Sequence, residues 1–414
     1  MSGAPVPSQT VAEMTAASEA EPAVLLLDAA ALADARKTAL AGGEVPGLAE
    51  LRREADTLVP AMPMTVTDKT TSAPSGDVHD YVSLSIYWWP DPARADGLPY
   101  LPRDGQINPE SADTRKYDAA KLNRMVGSVE ALSLAAYITG ERRYADASAT
   151  WLRAWFIDPA TRMNPTMRYA QIIPGRPEPR GTGIIDSRQF MRAVDAALLL
   201  RGAPSWSADD DDALRSWFGE LADWLVTSPQ GKQEGAAQNN HGTWYDAQLA
   251  DFALYAGGEQ IARETLERFA SQRVATQIAD DGTQPRELAR TRSYHYSAFN
   301  LLAFVIAASL GRSAGVDIWQ DSGPRIRPAI DLLVPAATTG AAWPYPDIDK
   351  IDHYTELAPV LARAARAYPN AGYDRVLSQL SANVSSAASL RLRVGAFGSL
   401  GGTAAAPAPL VLAT

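Results

Sequence analysis

Apolar residues recur at three- and four-residue spacing along most of this chain, the period of α-helices that turn one face to a core. The segment from Asp210 to Val226 shows the pattern plainly. Leu214, Trp217, Phe218, Leu221, Trp224 and Leu225 form one stripe, Ser207 stands where a cap belongs, acids fill the first turn, and Pro229 follows the end. The same period predicts helices over residues 24–40, 46–58, 117–139, 142–156, 187–202, 209–227, 242–256, 258–278, 296–311, 324–337, 354–367 and 372–382. Strict alternation is scarce. It marks a short strand within residues 80–87 and a small C-terminal strand set at 388–399. Residues 1–21 read as disordered and 401–414 as a loose tail, leaving one domain at 22–400. Paired helices joined by polar loops, with no strict repeat, predict an all-α fold: an (α/α) toroid or incomplete α/α barrel with a few short strands. Two long loops, near 87–115 and 158–186, carry aromatics and arginines, and loops of that length in a compact fold are usually functional.

Composition narrows the partners. The chain has 414 residues, enough for a large core, and a net charge of −10, which argues against nucleic acid. An anionic small substrate stays possible, because a cleft can be locally basic. Arg162, Arg168, Arg176, Arg180, Arg188 and Arg192 share one segment, and Arg286, Arg290 and Arg292 another; each cluster reads equally as a solvated face. With no cysteine, disulfides, thiolate nucleophiles and Cys-based zinc sites are excluded. No run approaches the roughly 20 apolar residues of a membrane span. No basic stretch precedes an apolar one as in a signal peptide, and the run from Ala23 to Leu27 is short and ends at Asp28.

The chemistry concentrates in two stretches: Asn239-Asn240-His241-Gly242-Thr243-Trp244-Tyr245-Asp246, and Arg290-Thr291-Arg292-Ser293-Tyr294-His295-Tyr296. A helix starting near Asn240 puts His241, Trp244, Tyr245 and Gln248 on one face. Its N-terminus favours an anion, although one asparagine could simply be the cap. Tyr296 opens an apolar helix, where core packing is the ordinary role. Arg290 and Arg292 beside it suggest instead a tyrosine of lowered pKa that serves as base and then acid. Amides, an imidazole, guanidinium groups and a phenol suit proton abstraction next to a carboxylate, hence β-elimination on a polyuronate. The charge building on the carboxylate needs donors, which Asn240, His241 and Arg290 can supply. In D-glucuronate and D-mannuronate the C5 hydrogen and O4 share a ring face, so one tyrosine could serve both steps. In L-guluronate they are on opposite faces, and His241 would be the base with Tyr296 as acid. Hydrolysis would need two flanking carboxylates from Asp186, Asp246, Asp251, Glu287 and Glu356, none marked by spacing. His241, His295 and His353 lack a metal-ligand pattern, and no phosphate loop appears.

Five motifs in order carry a family resemblance: His79-Asp80-Tyr81-Val82-Ser83-Leu84; Tyr87-Trp88-Trp89-Pro90-Asp91-Pro92; Tyr169-Ala170-Gln171 with Gly183-Ile184-Ile185-Asp186; the Asn-Asn-His at 239–241; and Glu287-Leu288-Ala289-Arg290 before Tyr296. From about 79 to 370 the chain resembles the alginate-lyase superfamily of polysaccharide lyases. The Trp-Trp-Pro motif and Tyr296-Ser297 look most like family thirty-eight, which includes glucuronan and alginate lyases. The resemblance implies an α/α toroid and metal-independent β-elimination with no cofactor. It places the neutralising asparagine and histidine at Asn240 and His241, the arginine at Arg290 and the catalytic tyrosine at Tyr296, with Tyr294 in reserve because the local register departs from family five. Trp88, Trp89, Trp244 and Tyr245 are candidates for stacking on sugar rings. Asn239, Arg180, Arg292, Tyr294, His295 and Tyr354 are further substrate-binding candidates. Periplasmic or secreted localisation is a family-level expectation. A polyuronate-binding toroid without catalysis and a glycoside hydrolase on the same fold are the alternatives.

Overall fold

The computed structural model describes residues 21–382 except 177, 323–324, 339–340 and 349–353, together with residue 392. The strand set expected at 388–399 and the expected terminal segments at 1–20 and 401–414 lie outside the described residues, Leu392 apart. In chain order the main helices are α1 (Ala29–Leu40), α2 (Leu48–Leu58), α3 (Ala119–Thr139), α4 (Arg142–Leu152), α5 (Phe190–Leu200), α6 (Ala208–Thr227) and α7 (Pro229–Gly235). They continue with α8 (Asn240–Ala256), α9 (Glu259–Glu267), α10 (Ser293–Ala314), α11 (Ile326–Thr338), α12 (Tyr354–Ala367) and α13 (Tyr373–Ala382).

Five of these form an inner row in which α3, α5, α8, α10 and α12 each pack on the next. The rest form an outer layer: α1, α2 and α4 lie on α3, α6 and α9 on α8, and α13 on α12. This is the (α/α) toroid that the periodicity predicts. It also explains why the inner helices show little one-sidedness. Every residue of α5 is buried and α10 is buried along almost its whole length, so apolar residues are needed all round. The core that results is one continuous cluster from Leu26 to Leu380.

Boundaries moved where local chemistry overrode the period. Ser207 forms the expected cap, with a reciprocal bond to Asp210. Pro229, read as a stop, opens α7 instead: its missing N–H is harmless at the first helical position, and Ser228 caps the turn. The helix expected at 258–278 breaks after Glu267 into a π-turn at Ala270–Val274. A 3₁₀ run at Gly181–Gln189 precedes α5. The predicted strand shortens to β1 (Val82–Leu84). It pairs in parallel with β4 (Tyr169–Ile172), while β2 (Trp88–Trp89) and β3 (Leu101–Pro102) pair antiparallel inside the first long loop. These small sheets anchor both long loops over one end of the inner helices.

Two buried acids, Asp195 on α5 and Asp251 on α8, face the same part of the core and sense each other's charge. Asp195 accepts N–H bonds from Leu25, Leu26 and Leu27 at 2.7, 3.0 and 2.7 Å, and burial raises its pKa to about 6. Asp251 on α8 is fully buried with neither carboxylate oxygen hydrogen-bonded. Burial, then the charge of Asp195, pushes its pKa well above the usual carboxylate range. A carboxyl whose folded pKa exceeds its unfolded one stabilises the fold at low pH and loses that contribution as pH rises through the folded value. Asp251→Asn, always neutral, is therefore expected to gain stability over the parent as pH rises above about 4, by up to about 1.4 kcal/mol per pH unit. Thermal midpoints of both proteins across pH measure this; a constant difference would contradict it.

Candidate active site

The Asn-Asn-His stretch forms the start of α8. Asn239 is the N-cap residue in extended conformation, but its side chain makes no capping bond. The cap comes from a distant residue. Glu287 accepts the backbone N–H of Asn240 at 2.8 Å and its side-chain amide at 2.7 Å. The anion that a helix terminus attracts is thus the protein's own carboxylate. Asn240 is completely buried, so in this structure its amide fastens α8 to the segment before α10. His241 is next, and its side chain is partly exposed. Its Nδ1 lies 2.6 Å from Oε1 of buried Glu234 at the end of α7, which leaves Nε2 as the ring nitrogen for another partner. Burial disfavours the imidazolium, but the carboxylates of Glu234 and Glu287 outweigh it and raise the His241 pKa above its ordinary value.

Three residues beyond Glu287, Arg290 connects this end to α10. Its Nη2 donates to the Tyr296 hydroxyl at 2.7 Å, and its guanidinium lies 3.7 Å from the centre of the same ring. The hydroxyl in turn donates to the Tyr87 hydroxyl at 2.9 Å. On its far side Arg290 pairs with Asp104 at 2.5 Å, a residue of the first long loop. Burial, reinforced by Tyr87 and Asp104, raises the Tyr296 pKa well above 10, and Arg290 offsets this only in part. The lowered pKa expected from the sequence is therefore corrected: the phenol holds its proton at rest. It is also fully buried beneath Tyr87. No described contact joins His241 to Tyr296 directly; Glu287 and Arg290, which sense each other electrostatically, bridge the two.

The remaining motifs build the wall. Asp186 accepts from Tyr81 at 3.1 Å, Ser83 at 2.7 Å and the Gln171 amide at 2.9 Å. Ser83 also accepts the Gln171 backbone N–H at 2.7 Å. These bonds hold Gln171 in a left-handed conformation (φ 51°) that non-glycine residues rarely adopt. Gly183 packs so tightly that a Cβ would sit 2.1 Å from the Ala170 carbonyl oxygen.

Residues 65–343 match the family model for alginate lyase. The fold superposes on an alginate lyase from Bacteroides ovatus with a TM-score of 0.84 and 37% identity, over 90% of this chain and 99% of that one. The chain belongs to the alginate lyase family. Alginate lyase A1-III from Sphingomonas species A1 shares the fold at 18% identity, with a TM-score of 0.52 over 85% of this chain and 91% of that one. A variant of A1-III complexed with a tetrasaccharide gives 0.54 at 17% identity, over 87% and 92%. No curated protein matches.

Within this member of the alginate lyase family, the site candidates divide. Asn240, His241, Arg290 and Tyr296 meet at the common end of α8 and α10. Trp88 and Trp89 are half-buried, with Arg176 and Arg180 over Trp88 and Arg103 over Trp89. Arg180 is half-buried near Glu234. Arg292, also half-buried, starts α10 beside Gly105, its backbone bridged to Asp347. Four candidates are corrected. Trp244 packs on Phe299 in the core, and the Tyr245 hydroxyl donates to the Leu225 carbonyl, because α8 is an inner helix with no open side. His295 is buried between Glu356, 2.8 Å away, and Phe299. Tyr294 donates to the Leu333 carbonyl in the core. Two residues before Tyr296, it points roughly 200° away around the helix, which removes it as the reserve phenol. Tyr354 begins α12, and its side chain lies outside the described residues.

The hydrolase alternative loses its carboxylates. Asp186 is bound by three donors, Asp246 pairs with buried Arg273, Asp251 is sealed in the core, Glu287 holds Asn240 and Glu356 holds His295. Arg188 and Arg192, read as part of a possible solvated face, are buried as well: Arg188 lies under Phe299, and Arg192 pairs with Glu130. Tyr87, Asp104 and Glu234 were missed. Tyr87 adjoins Trp88 and Trp89, whose type is the stronger local signal for sugar binding. Asp104 acts across the fold on Arg290, and Glu234 reaches His241 only through the turn between α7 and α8. Among the described residues no group of three His, Asp or Glu side chains is arranged to hold a metal ion.

Proposed function

We propose that this protein is a polysaccharide lyase that cleaves β-1,4-linked polyuronate, either glucuronan or mannuronate-containing alginate, by β-elimination. The family supports a polysaccharide lyase, and the Trp88-Trp89-Pro90 and Tyr296-Ser297 motifs support a place near family thirty-eight. The observation that carries the reaction is the Tyr296 hydroxyl held between Arg290 and Tyr87. A base removes the C5 proton, the electron pair forms the C4–C5 double bond, the C4–O4 bond breaks, and O4 takes a proton. The products are a new reducing end and a 4,5-unsaturated uronate. His241 Nε2 and Arg290, the two partly exposed donors, take up the carboxylate charge, and Asn240 fixes their relation through Glu287.

The raised His241 pKa favours a charged donor over a base. It therefore supports the geometry in which Tyr296 serves both steps on one ring face, that of glucuronate and mannuronate, over that of guluronate. Burial keeps the Tyr296 phenol protonated at rest, so it must pass its proton on before acting as base. Absorbance of the unsaturated product, followed on glucuronan, polymannuronate and polyguluronate, tests the reading. Signal on either of the first two above the third is expected; no signal on any, with folded protein, contradicts it.

Glu234→Gln tests the charged histidine. Without the carboxylate the His241 pKa falls, so the donor form is lost at lower pH. The alkaline decline that His241 imposes on kcat/KM should shift to lower pH. An unchanged profile would remove Glu234 from this role.

A further inference from the structure

Two inner helices, α10 and α12, start beside the reaction centre and run away from it. Where they end, about 24 Å of helix axis beyond Tyr296, a pocket of about 500 Å³ opens on the far face of the toroid. Gly315 makes the turn off α10 in a left-handed conformation (φ 72°), and a Cβ there would meet nothing, so the mouth stays open. Trp319 and Tyr368 form an aromatic corner, edge to face, with ring centres 5.4 Å apart. The Tyr368 hydroxyl is buried and has no hydrogen-bond partner. Arg312, in the last turn of α10, is exposed and forms no ion pair among the described residues. Asp317 accepts the backbone N–H of Gln320 at 3.2 Å, and both residues line the pocket.

This set selects a chemistry. An apolar ligand would strip water from Arg312 and Asp317 and put nothing in its place. A phosphate is best held by several cations or by convergent backbone N–H groups, and one arginine faced by one acid supplies neither. A ring that bears one carboxylate and several hydroxyls suits every group present. The guanidinium takes the carboxylate, Asp317 and Gln320 take hydroxyls, and the aromatic corner takes the C–H surface of the ring. The volume falls within the range of small-ligand pockets. We propose that this pocket is a second polyuronate-binding site, remote from the reaction centre, which holds one uronate residue of a long chain while another part of that chain is cleaved. The choice of ligand rests on the lyase reading. Tethering raises the local concentration of cleavable chain, so it acts on polymer and not on oligomers too short to span both sites.

Arg312→Glu tests this, because an exposed side chain can be reversed in charge without disturbing the core. Its KM on polymer should rise about tenfold or more, with kcat and the KM on di- to tetrauronates unchanged. Binding is read separately in Tyr296→Phe protein, where the Trp319 indole signal in NMR should shift as saturated tetrauronate is added. Adding Arg312→Glu should abolish that shift, Arg312→Lys should keep part of it, and a neutral β-1,4-linked tetrasaccharide should produce none. An unchanged KM on polymer, an equal rise on short and long chains, an indole signal that does not respond, or an equal response to the neutral sugar overturns the proposal. An Arg312-dependent shift in a protein whose parent makes no unsaturated product keeps this inference and discards the lyase reading. Unsaturated product without such a shift does the reverse.

Discussion

Tyr296→Phe is expected to leave a folded protein that still binds polyuronate but turns it over about 10²–10⁴-fold more slowly. The substitution removes one oxygen. The ring remains in its place on α10, edge-on to His295, and Arg290 can still stack on it. What disappears is the hydroxyl that accepts from Arg290 and donates to Tyr87, the group proposed to move a proton between C5 and O4. The loss should therefore fall on kcat, with KM changed only a few-fold, because the donors for the carboxylate are intact. Steady-state rates from product absorbance, with circular dichroism as a folding control, measure it. Turnover near that of the parent would transfer the role to another group, with Tyr87 the nearest phenol and Tyr294 excluded by its place in the core.

Gly242→Ala should be a strongly damaging single-methyl change at the site. A Cβ at Gly242 would lie 2.1 Å from the Ala237 carbonyl oxygen and 2.4 Å from Nη1 of Arg273. Neither neighbour is free to move. Arg273 donates to Asp246 and to the carbonyls of Ala237 and Gly235, all at 2.7 Å, and so clamps the turn that leads into α8. Relief of the clash must shift that turn or the first turn of α8, and either displaces His241 from Glu234. The expected cost is about 3 kcal/mol of stability, at the upper end of overpacking effects. Activity should fall with it even at temperatures where the variant remains folded. Denaturant unfolding and residual rate, measured on the same preparation, check both. Wild-type stability and rate together would show that the turn is softer than its bonds imply.

The sequence made the architecture readable because periodicity reports burial, and burial is what a toroid organises. It misplaced elements where one residue could act in two ways, as Pro229 did by opening α7 after reading as a stop. The site was partly readable. His241 and Tyr296 announce themselves by neighbours on the same segment, and the structure brings both to one end of the inner helices. Trp244 and Tyr245 carried the same local signal, yet they are core residues, because no helical period distinguishes an inner helix from a helix with one wet face. Asp104 and Tyr87 set the charge and hydrogen bonding around Arg290 and Tyr296 from a distant segment, and Glu234 does so for His241 from the end of the preceding helix. Their roles come from three-dimensional pairing, which one sequence does not encode at any fixed spacing.

Product chemistry reaches the central claim most directly. A saturated mannuronate or glucuronate oligomer, digested in oxygen-18 water and examined by mass spectrometry and proton NMR, should yield an olefinic C4 proton on the new non-reducing end and no incorporated label. Saturated ends with one heavy oxygen per cleavage would mean that water, and not an elimination driven by Tyr296, breaks the chain.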